Sequence, residues 1–259
     1  MKKEQIIRAI EAIQWDYEEA FVPESIHYIH NHDLVMIKNE KSTSVYANKV
    51  VRFRRSMAEV KEVLAYFKGS PFSWWVRSSS DSTELERRLI TLGFQHEETY
   101  VGLAKVLTKE ETPSTDFTYR EVITEEDVEA HVQVAAEIWG YDTETKQAAI
   151  HERASYLQFV DRRGGYTLAL DKKKPVGYSN YRFSKDGTVL YLNGAAVLPE
   201  YRGKGIYRAM LSLRLAEARK RGCELAVTQA RLRTSEPILR KSGFHEYATF
   251  KQYVGNHRL

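Results

Sequence analysis

The chain has 259 residues, of which 42% are hydrophobic, 29% charged and 12% aromatic, with 14 glycines and 6 prolines; such a chain buries a real core, which excludes wholesale disorder. No apolar run approaches the ~20 residues of a membrane-crossing helix, and the single cysteine, Cys223, cannot by itself form an internal disulfide or a metal cluster. A formal net charge of +4 suits an anionic small ligand but lacks the dense Lys/Arg clustering of nucleic-acid-binding chains.

The expectations are therefore no nucleic acid and no membrane. Met1-Lys2-Lys3-Glu4-Gln5 leads into a charged amphipathic pattern, not an apolar signal segment, and predicts a cytoplasmic protein.

Residues 5–15 carry Ile6, Ile7, Ile10 and Ile13 at helical spacing. Strand-like runs follow at 25–29, 34–37 and 44–53, then a helix over 57–67 with Val60, Val63, Leu64 and Phe67 on one face. Residues 72–76, containing Trp74 and Trp75, read as a buried strand. A helix over 83–92 stops at Gly93, and a strand occupies 100–106. Thr112-Pro113-Ser114-Thr115 is a polar stretch holding a proline and reads as a domain boundary.

Beyond it, 117–122 reads as a strand, and 128–139 and 145–160 as helices. Strands are expected at 166–170, 176–183 and 188–197, with a Lys185-Asp186-Gly187 turn. A helix over 205–221, a strand over 225–228, a short helix over 235–241 and a strand over 244–254 complete the chain. Strands and helices alternate in mixed order, so the fold class is α+β (mixed α/β).

The halves echo each other. Leu89-Ile90-Thr91-Leu92-Gly93-Phe94 resembles Leu239-Arg240-Lys241-Ser242-Gly243-Phe244: in each, a glycine suited to the left-handed cap ends a helix and an aromatic opens the next strand. The order strand, helix, strand, helix, strand precedes both, which points to duplication of one domain. The domains are expected at 1–112 and 117–259.

The chemistry concentrates in Leu192-Asn193-Gly194-Ala195-Ala196-Val197-Leu198-Pro199-Glu200-Tyr201-Arg202-Gly203-Lys204-Gly205-Ile206-Tyr207. A strand gives way to a tight loop and a helix start, whose unpaired N–H groups and dipole make an anion site. Gly203 and Gly205 leave room for a pyrophosphate against the backbone, and Arg202 and Lys204 add charge. The same residues also suit a plain strand-to-helix turn on a basic surface. No Gly-Lys-Ser/Thr follows, so the loop is not a Walker motif. Nor does it follow the first strand of a parallel unit, as a dinucleotide fingerprint would.

The segment Val197-x-Pro199-x-Tyr201-Arg202-Gly203-Lys204-Gly205-Ile206 resembles the acyl-CoA signature of the Gcn5-related N-acetyltransferase (GNAT) superfamily, and the likeness extends from 117 to 259. The resemblance implies two GNAT-like domains, each a mixed, mostly antiparallel twisted sheet flanked by helices. It implies acetyl-CoA as donor substrate, with Ala196, Val197 and Leu198 along the pantetheine and Arg202, Gly203, Lys204, Gly205, Ile206 and Tyr207 at the pyrophosphate. It implies an N-acetyltransferase moving acetyl directly to an amine, with a backbone donor near Val197 for the tetrahedral oxyanion.

Three departures stand out. Tyr207 replaces the signature's last Gly or Ala, and Leu239 stands where many relatives carry a tyrosine that protonates the thiolate. Leu232 falls where an asparagine is frequent. In the first half the matching loop, Arg52-Phe53-Arg54-Arg55-Ser56-Met57, has no glycine, so that copy is expected to be degenerate and not to bind CoA.

For the base, strand alternation puts Tyr191, Asn193 and Ala195 on one face. Tyr191 falls where some relatives place a glutamate, and it also reads as a sheet residue with a bonded hydroxyl. Asn193 beside Gly194 is either a bulge residue or a water-orienting amide. Glu137 is a third candidate, or an ordinary exposed helix carboxylate. His27, His30, His32 and Asp33 invite a metal reading, but His27 and His30 fall on opposite faces of a regular strand, so no metal is expected. The expectation is a monomer or homodimer; the alternative function is a non-catalytic acyl-CoA-binding sensor.

Overall fold

The computed structural model describes residues 1–42, 44–79, 82–108 and 117–255. The proline-containing break at 112–115 lies outside the described residues. The first elements are α1 (Lys3–Ala12), β1 (Ile26–His30), β2 (Leu34–Asn39), β3 (Lys49–Phe53), α2 (Val60–Tyr66), β4 (Phe72–Arg77), α3 (Ser82–Thr91) and β5 (Gln95–Val106). There follow β6 (Thr118–Glu121), α4 (Glu125–Trp139), α5 (Thr143–Gln158), β7 (Gly164–Asp171), β8 (Lys174–Phe183) and β9 (Val189–Val197). The last are α6 (Ile206–Lys220), β10 (Leu225–Arg231), α7 (Glu236–Lys241) and β11 (His245–Gly255).

The elements match the periodicity closely, with two clear corrections: β5, expected over 100–106, begins already at Gln95, and β3 begins late. The strand expected over 44–53 begins only at Lys49. Before it, the Asn48 amide donates to Ser42 O at 2.7 Å and its Oδ1 accepts the Asn39 N–H at 2.8 Å. These local side-chain bonds give the backbone a turn in place of a ladder.

Two compact units form, residues 1–17, 22–104 and 229–259 in one and 18–21 and 105–228 in the other. They differ from the halves read along the chain, because α7 and β11 pack in the first unit. There the strands run β1-β2-β3-β4-β11-β5. β1, β2 and β3 are antiparallel neighbours, β3 and β4 are parallel, and β11 pairs antiparallel with both β4 and β5. The core is aromatic: Phe67 stacks on Phe72 at 4.2 Å, and Phe94 and the fully buried Trp74 close over them. Trp75 donates to Ser73 Oγ at 3.1 Å and lies 4.6 Å from the Tyr100 ring.

In the second unit β6, β7, β8 and β9 form an antiparallel meander, and β10 joins β9 in parallel. Helix α4 is well started: Thr124 Oγ1 accepts the Asp127 N–H at 3.1 Å, and Gly140, at φ 68°, ends the helix. One face of this sheet packs Leu168 and Leu170 against Val128 and Val132 of α4. The other packs Ala169, Val176 and Val197 against Ile206 and Met210 of α6. Period-2 alternation on β7, combined with apolar stripes on both helices, dictates these layers. Cys223 is buried, with its thiol 3.1 Å from Gly187 O, and burial pushes its pKa up.

Both halves of the chain thus hold a meander followed by a parallel step. Their helix stops are also alike: Phe94 N–H donates to Leu89 O at 3.0 Å, Phe244 N–H to Leu239 O at 3.1 Å, with Gly93 and Gly243 at φ 84° and 83°.

Candidate functional site

Gly205, at φ 81°, is the N-cap of α6, and Gly203 sits at φ 79°. Left-handed backbone at both positions favours glycine. A Cβ placed on either would meet nothing within 4 Å. The glycines are therefore not filling a crowded corner of the protein; they shape a loop whose outer side is open. Among the described residues the N–H groups of 203–208 donate to nothing, and Arg202, Gly203, Lys204 and Gly205 are exposed. That is a helix start with its orphan donors turned outward.

The flanking side chains are ordered. Arg202 Nε donates to Val197 O at 3.2 Å, tying the loop to the end of β9, and the Lys204 ammonium rests 4.6 Å from the Tyr201 ring centroid. Tyr207 is helical, so its N–H remains among the outward donors. Its ring packs with the Val176–Val197–Met210 cluster and does not fill the loop. Ile206 is buried beneath the same cluster.

β9 supplies the second part of the site. Its ladder with β10 ends at Val227↔Tyr191, six residues before β9 itself ends at Val197. Beyond that point Leu192 O accepts Thr228 Oγ1–H at 3.0 Å, and no strand is paired with that edge among the described residues. An open strand edge is a ready partner for an extended amide-bearing ligand. Ala196 packs with Tyr178 and Leu198, while Val197 faces α6.

Opposite β8 the pairing passes from Ser179↔Ala195 to Tyr181↔Leu192, so Asn180 faces both Asn193 and Gly194. This is a bulge, and the bulge reading of Asn193 stands. It also corrects the expected face: the extra residue shifts the alternation, so Tyr191 and Asn193 share a side and Ala195 lies on the other. Asn193 Oδ1 is buried without a hydrogen-bond donor.

Several side chains converge near the bulge that the sequence reading missed. His131 of α4, fully buried, has Nε2 3.0 Å from Asn180 Oδ1 and its ring 4.9 Å from Tyr178 and 5.1 Å from Tyr166. Burial, reinforced by the Arg153 charge, holds its pKa down to about 3, so the ring is neutral. Trp139 Nε1–H donates to the Tyr178 hydroxyl at 2.6 Å, and burial raises that hydroxyl's pKa. Arg214 of α6, at 5% exposure, donates to Asn180 O at 3.2 Å, and burial lowers its pKa to about 10. The signal for this group was present as an aromatic-rich strand, Tyr178-Ser179-Asn180-Tyr181, but only folding sets it against His131 and Trp139.

Of the three candidate bases, Tyr191 is 2% exposed with the Arg182 guanidinium 5.7 Å from its ring centroid, and Asn193 lies beside it on the bulge. Glu137 is exposed on the solvent side of α4 and is not brought to the bulge, because two residues on from the sheet-facing Ala135 is the far side of a helix. Leu239 is an apolar core residue at 2% exposure, and Leu232 is exposed. In the first half, Glu59 accepts the Ser56 N–H at 3.0 Å and the Ser56 Oγ–H at 2.9 Å, occupying the helix start that corresponds to the glycine loop. His27 pairs with Glu40 and His32 with Asp33, and no group of three potential metal ligands exists among the described residues. Nor is any described helix long and apolar enough to cross a membrane.

Residues 123–244 match the family described as "Acetyltransferase (GNAT) family". Among solved structures, a GCN5-related N-acetyltransferase from Kribbella flavida superposes with a TM-score of 0.66 at 18% identity, covering 99% of this chain and 96% of that one. One from Sphaerobacter thermophilus gives a TM-score of 0.61 at 16% identity, covering 86% and 80%. A tandem GNAT protein from the clavulanic acid biosynthesis pathway gives 0.62 at 12% identity, covering 91% and 85%. At these identities the likeness is one of fold. No curated protein sequence matches the chain.

Proposed function

Residues 123–244 of this chain match the GNAT acetyltransferase family, and from that premise we propose that the chain moves an acetyl group from acetyl-CoA to an amine. The observation that carries the reading is the Gly203–Gly205 loop, where both Cβ positions are open space and six successive N–H groups have no acceptor among the described residues. A pyrophosphate fits such a cradle on charge and on room. Arg202, Lys204 and the N–H groups of Gly203, Gly205, Ile206 and Tyr207 would hold it. The edge of β9 at Ala196, Val197 and Leu198 would take the pantetheine amides.

The donor supplies an activated thioester. The amine nitrogen forms the new C–N bond as the C–S bond breaks; the electron pair leaves on sulfur, and the proton lost by nitrogen ends on the thiol. An N–H of the open β9 edge would stabilise the oxyanion. Asn193 Oδ1, buried and without a donor, would accept a hydrogen from the amine or from a water beside it. A free amine of pKa near ~10 must lose a proton before attack, whereas a thiolate of pKa ~8.5 leaves without much acid help. That makes Leu239 a tolerable replacement for a tyrosine.

The second reading, an acyl-CoA sensor without turnover, is favoured by two observations: Glu137 is exposed and away from the bulge, and Leu239 offers no acid. Release of free thiol from acetyl-CoA over an amine panel separates the two. For the donor site, calorimetric titration of acetyl-CoA is expected to give 1:1 binding that is lost in a folded Gly203→Glu/Gly205→Glu variant. No binding to the wild type would remove both readings.

A further inference from the structure

The sheet face beneath α4 and α5 carries polar groups that the donor does not use. Arg153 of α5 is half-buried, with its guanidinium carbon 5.8 Å from the Tyr166 ring centroid. Its hydrogen bond is to Ala149 O of its own helix at 3.2 Å, and among the described residues it has no carboxylate partner. The charge is felt at His131, Tyr166 and Tyr178, the three rings that lead from α5 toward the bulge.

At the bulge end, Asn180 Nδ2 and the Tyr178 hydroxyl border the space at Gly194, 3.8 and 4.0 Å from where a side chain would begin. Tyr178 accepts from Trp139 and retains its own proton to donate, while Asn180 Oδ1 is taken by His131 and its amide hydrogens are uncommitted.

The nearby acids offset Arg153 only in part: the charges of Glu152 and Glu18 oppose it at Tyr166, but among the described residues neither carboxylate is ion-paired with it. Glu18 accepts the Tyr156 O–H at 2.6 Å and the Arg163 N–H at 2.7 Å, and Glu137 and Glu152 are exposed to solvent, where their fields are screened. A partly desolvated cation with no ion-paired carboxylate favours an anion. At the Gly194 space the Asn180 amide hydrogens and the Tyr178 hydroxyl proton are donors beside aromatic rings, and Asn193 Oδ1 is the acceptor next to them. This is a poor site for a polyamine and a good one for a molecule carrying one negative group.

We propose that the acceptor is an amine that also bears a carboxylate, as an amino acid does, with the carboxylate on Arg153 and the amine end directed to the bulge by Asn180 and Tyr178. The proposal rests on the acetyl-transfer reading and narrows its acceptor. It is tested by thiol release from acetyl-CoA with the proteinogenic L-amino acids, their carboxamides, and a set of polyamines and aminosugars, in wild type, Arg153→Ala and Arg153→Lys. An amino acid is expected to exceed its own carboxamide in kcat/KM by about tenfold to a hundredfold, the worth of a charge-assisted hydrogen bond.

In Arg153→Ala that ratio should fall toward one, and Arg153→Lys should restore part of it; a folding defect would lower both substrates alike and leave the ratio in place. Turnover of polyamines or aminosugars alone, or an acid-to-amide ratio indifferent to Arg153→Ala, overturns the proposal while the donor reading stands. So does bound acetyl-CoA with no amino acid turned over. Absence of acetyl-CoA binding by calorimetry would instead sink the acetyl-transfer reading beneath it.

Discussion

His131 shows how a single residue couples the fold to the site. Burial and the Arg153 charge hold its pKa at about 3 against 6.5 in an unfolded chain. The unfolded chain therefore takes up a proton that the folded protein refuses. The stability that depends on a neutral His131 is complete above pH 6.5 and is lost progressively as pH falls from 6.5 toward 3. The slope from this one group is ~1.4 kcal/mol per pH unit within that window. Urea midpoints at several pH values should accordingly drop on acidification, and His131→Gln should flatten the drop; an equal drop in the variant would mean that His131 is not the group responsible. At the same scale, Tyr207 illustrates a harmless departure: the signature position contributes an N–H, which a helical tyrosine still provides, while the ring joins the core.

Among elements, the two helix starts that correspond between the halves were resolved in opposite ways. In α6 the start is left open by Gly203 and Gly205, at φ 79° and 81°, and its donors have no acceptor among the described residues. In the first half, Ser56 and Glu59 close the start from within the chain. A carboxylate already in place both occupies the donors and repels a phosphate. Acetyl-CoA should therefore titrate to one site per chain. Removing the cap by Glu59→Ala should cost about 1 kcal/mol of stability without opening a second site; a stoichiometry of two in calorimetry, in either protein, would contradict this. The bulge at Asn193–Gly194 works at this scale as well: one extra residue turns Ala195 to the α6 side and leaves Asn193 with Tyr191, beside Asn180.

At the scale of the whole molecule, the last strand decides what can fold alone. β11, from the second half of the chain, lies between β4 and β5 of the first half and pairs with each along most of its length. Tyr253 and Phe250 of β11 are buried, and the Tyr253 hydroxyl donates to Glu86 at 2.9 Å. A fragment 117–259 would strand this hydrophobic segment without neighbours, and a fragment 1–112 would have a gap in the middle of its sheet. Each is expected to be insoluble or molten when expressed singly, and the two to recover cooperative unfolding when co-expressed. Independent cooperative folding of either fragment would show that the pairing is dispensable.

Nearly every element can be read from residue spacing along the chain. Apolar residues at helical or alternating spacing mark α4, α6, β7 and β8, and glycine caps mark the two helix stops, because these are local properties of a chain with fixed backbone geometry. The glycine turn at 202–207 was legible too, since Gly203 and Gly205 stand where the backbone is left-handed. The misplaced start of β3 was local too, hidden in side-chain bonds of Asn48 that spacing does not reveal. Contacts between residues far apart in the chain set the rest: the seat of β11 between β4 and β5, the bulge opposite Asn180, and the meeting of His131, Tyr166 and Arg153. Strand register and burial, on which the pKa of His131 and the solitary charge of Arg153 depend, are set by neighbours that no window along the sequence contains.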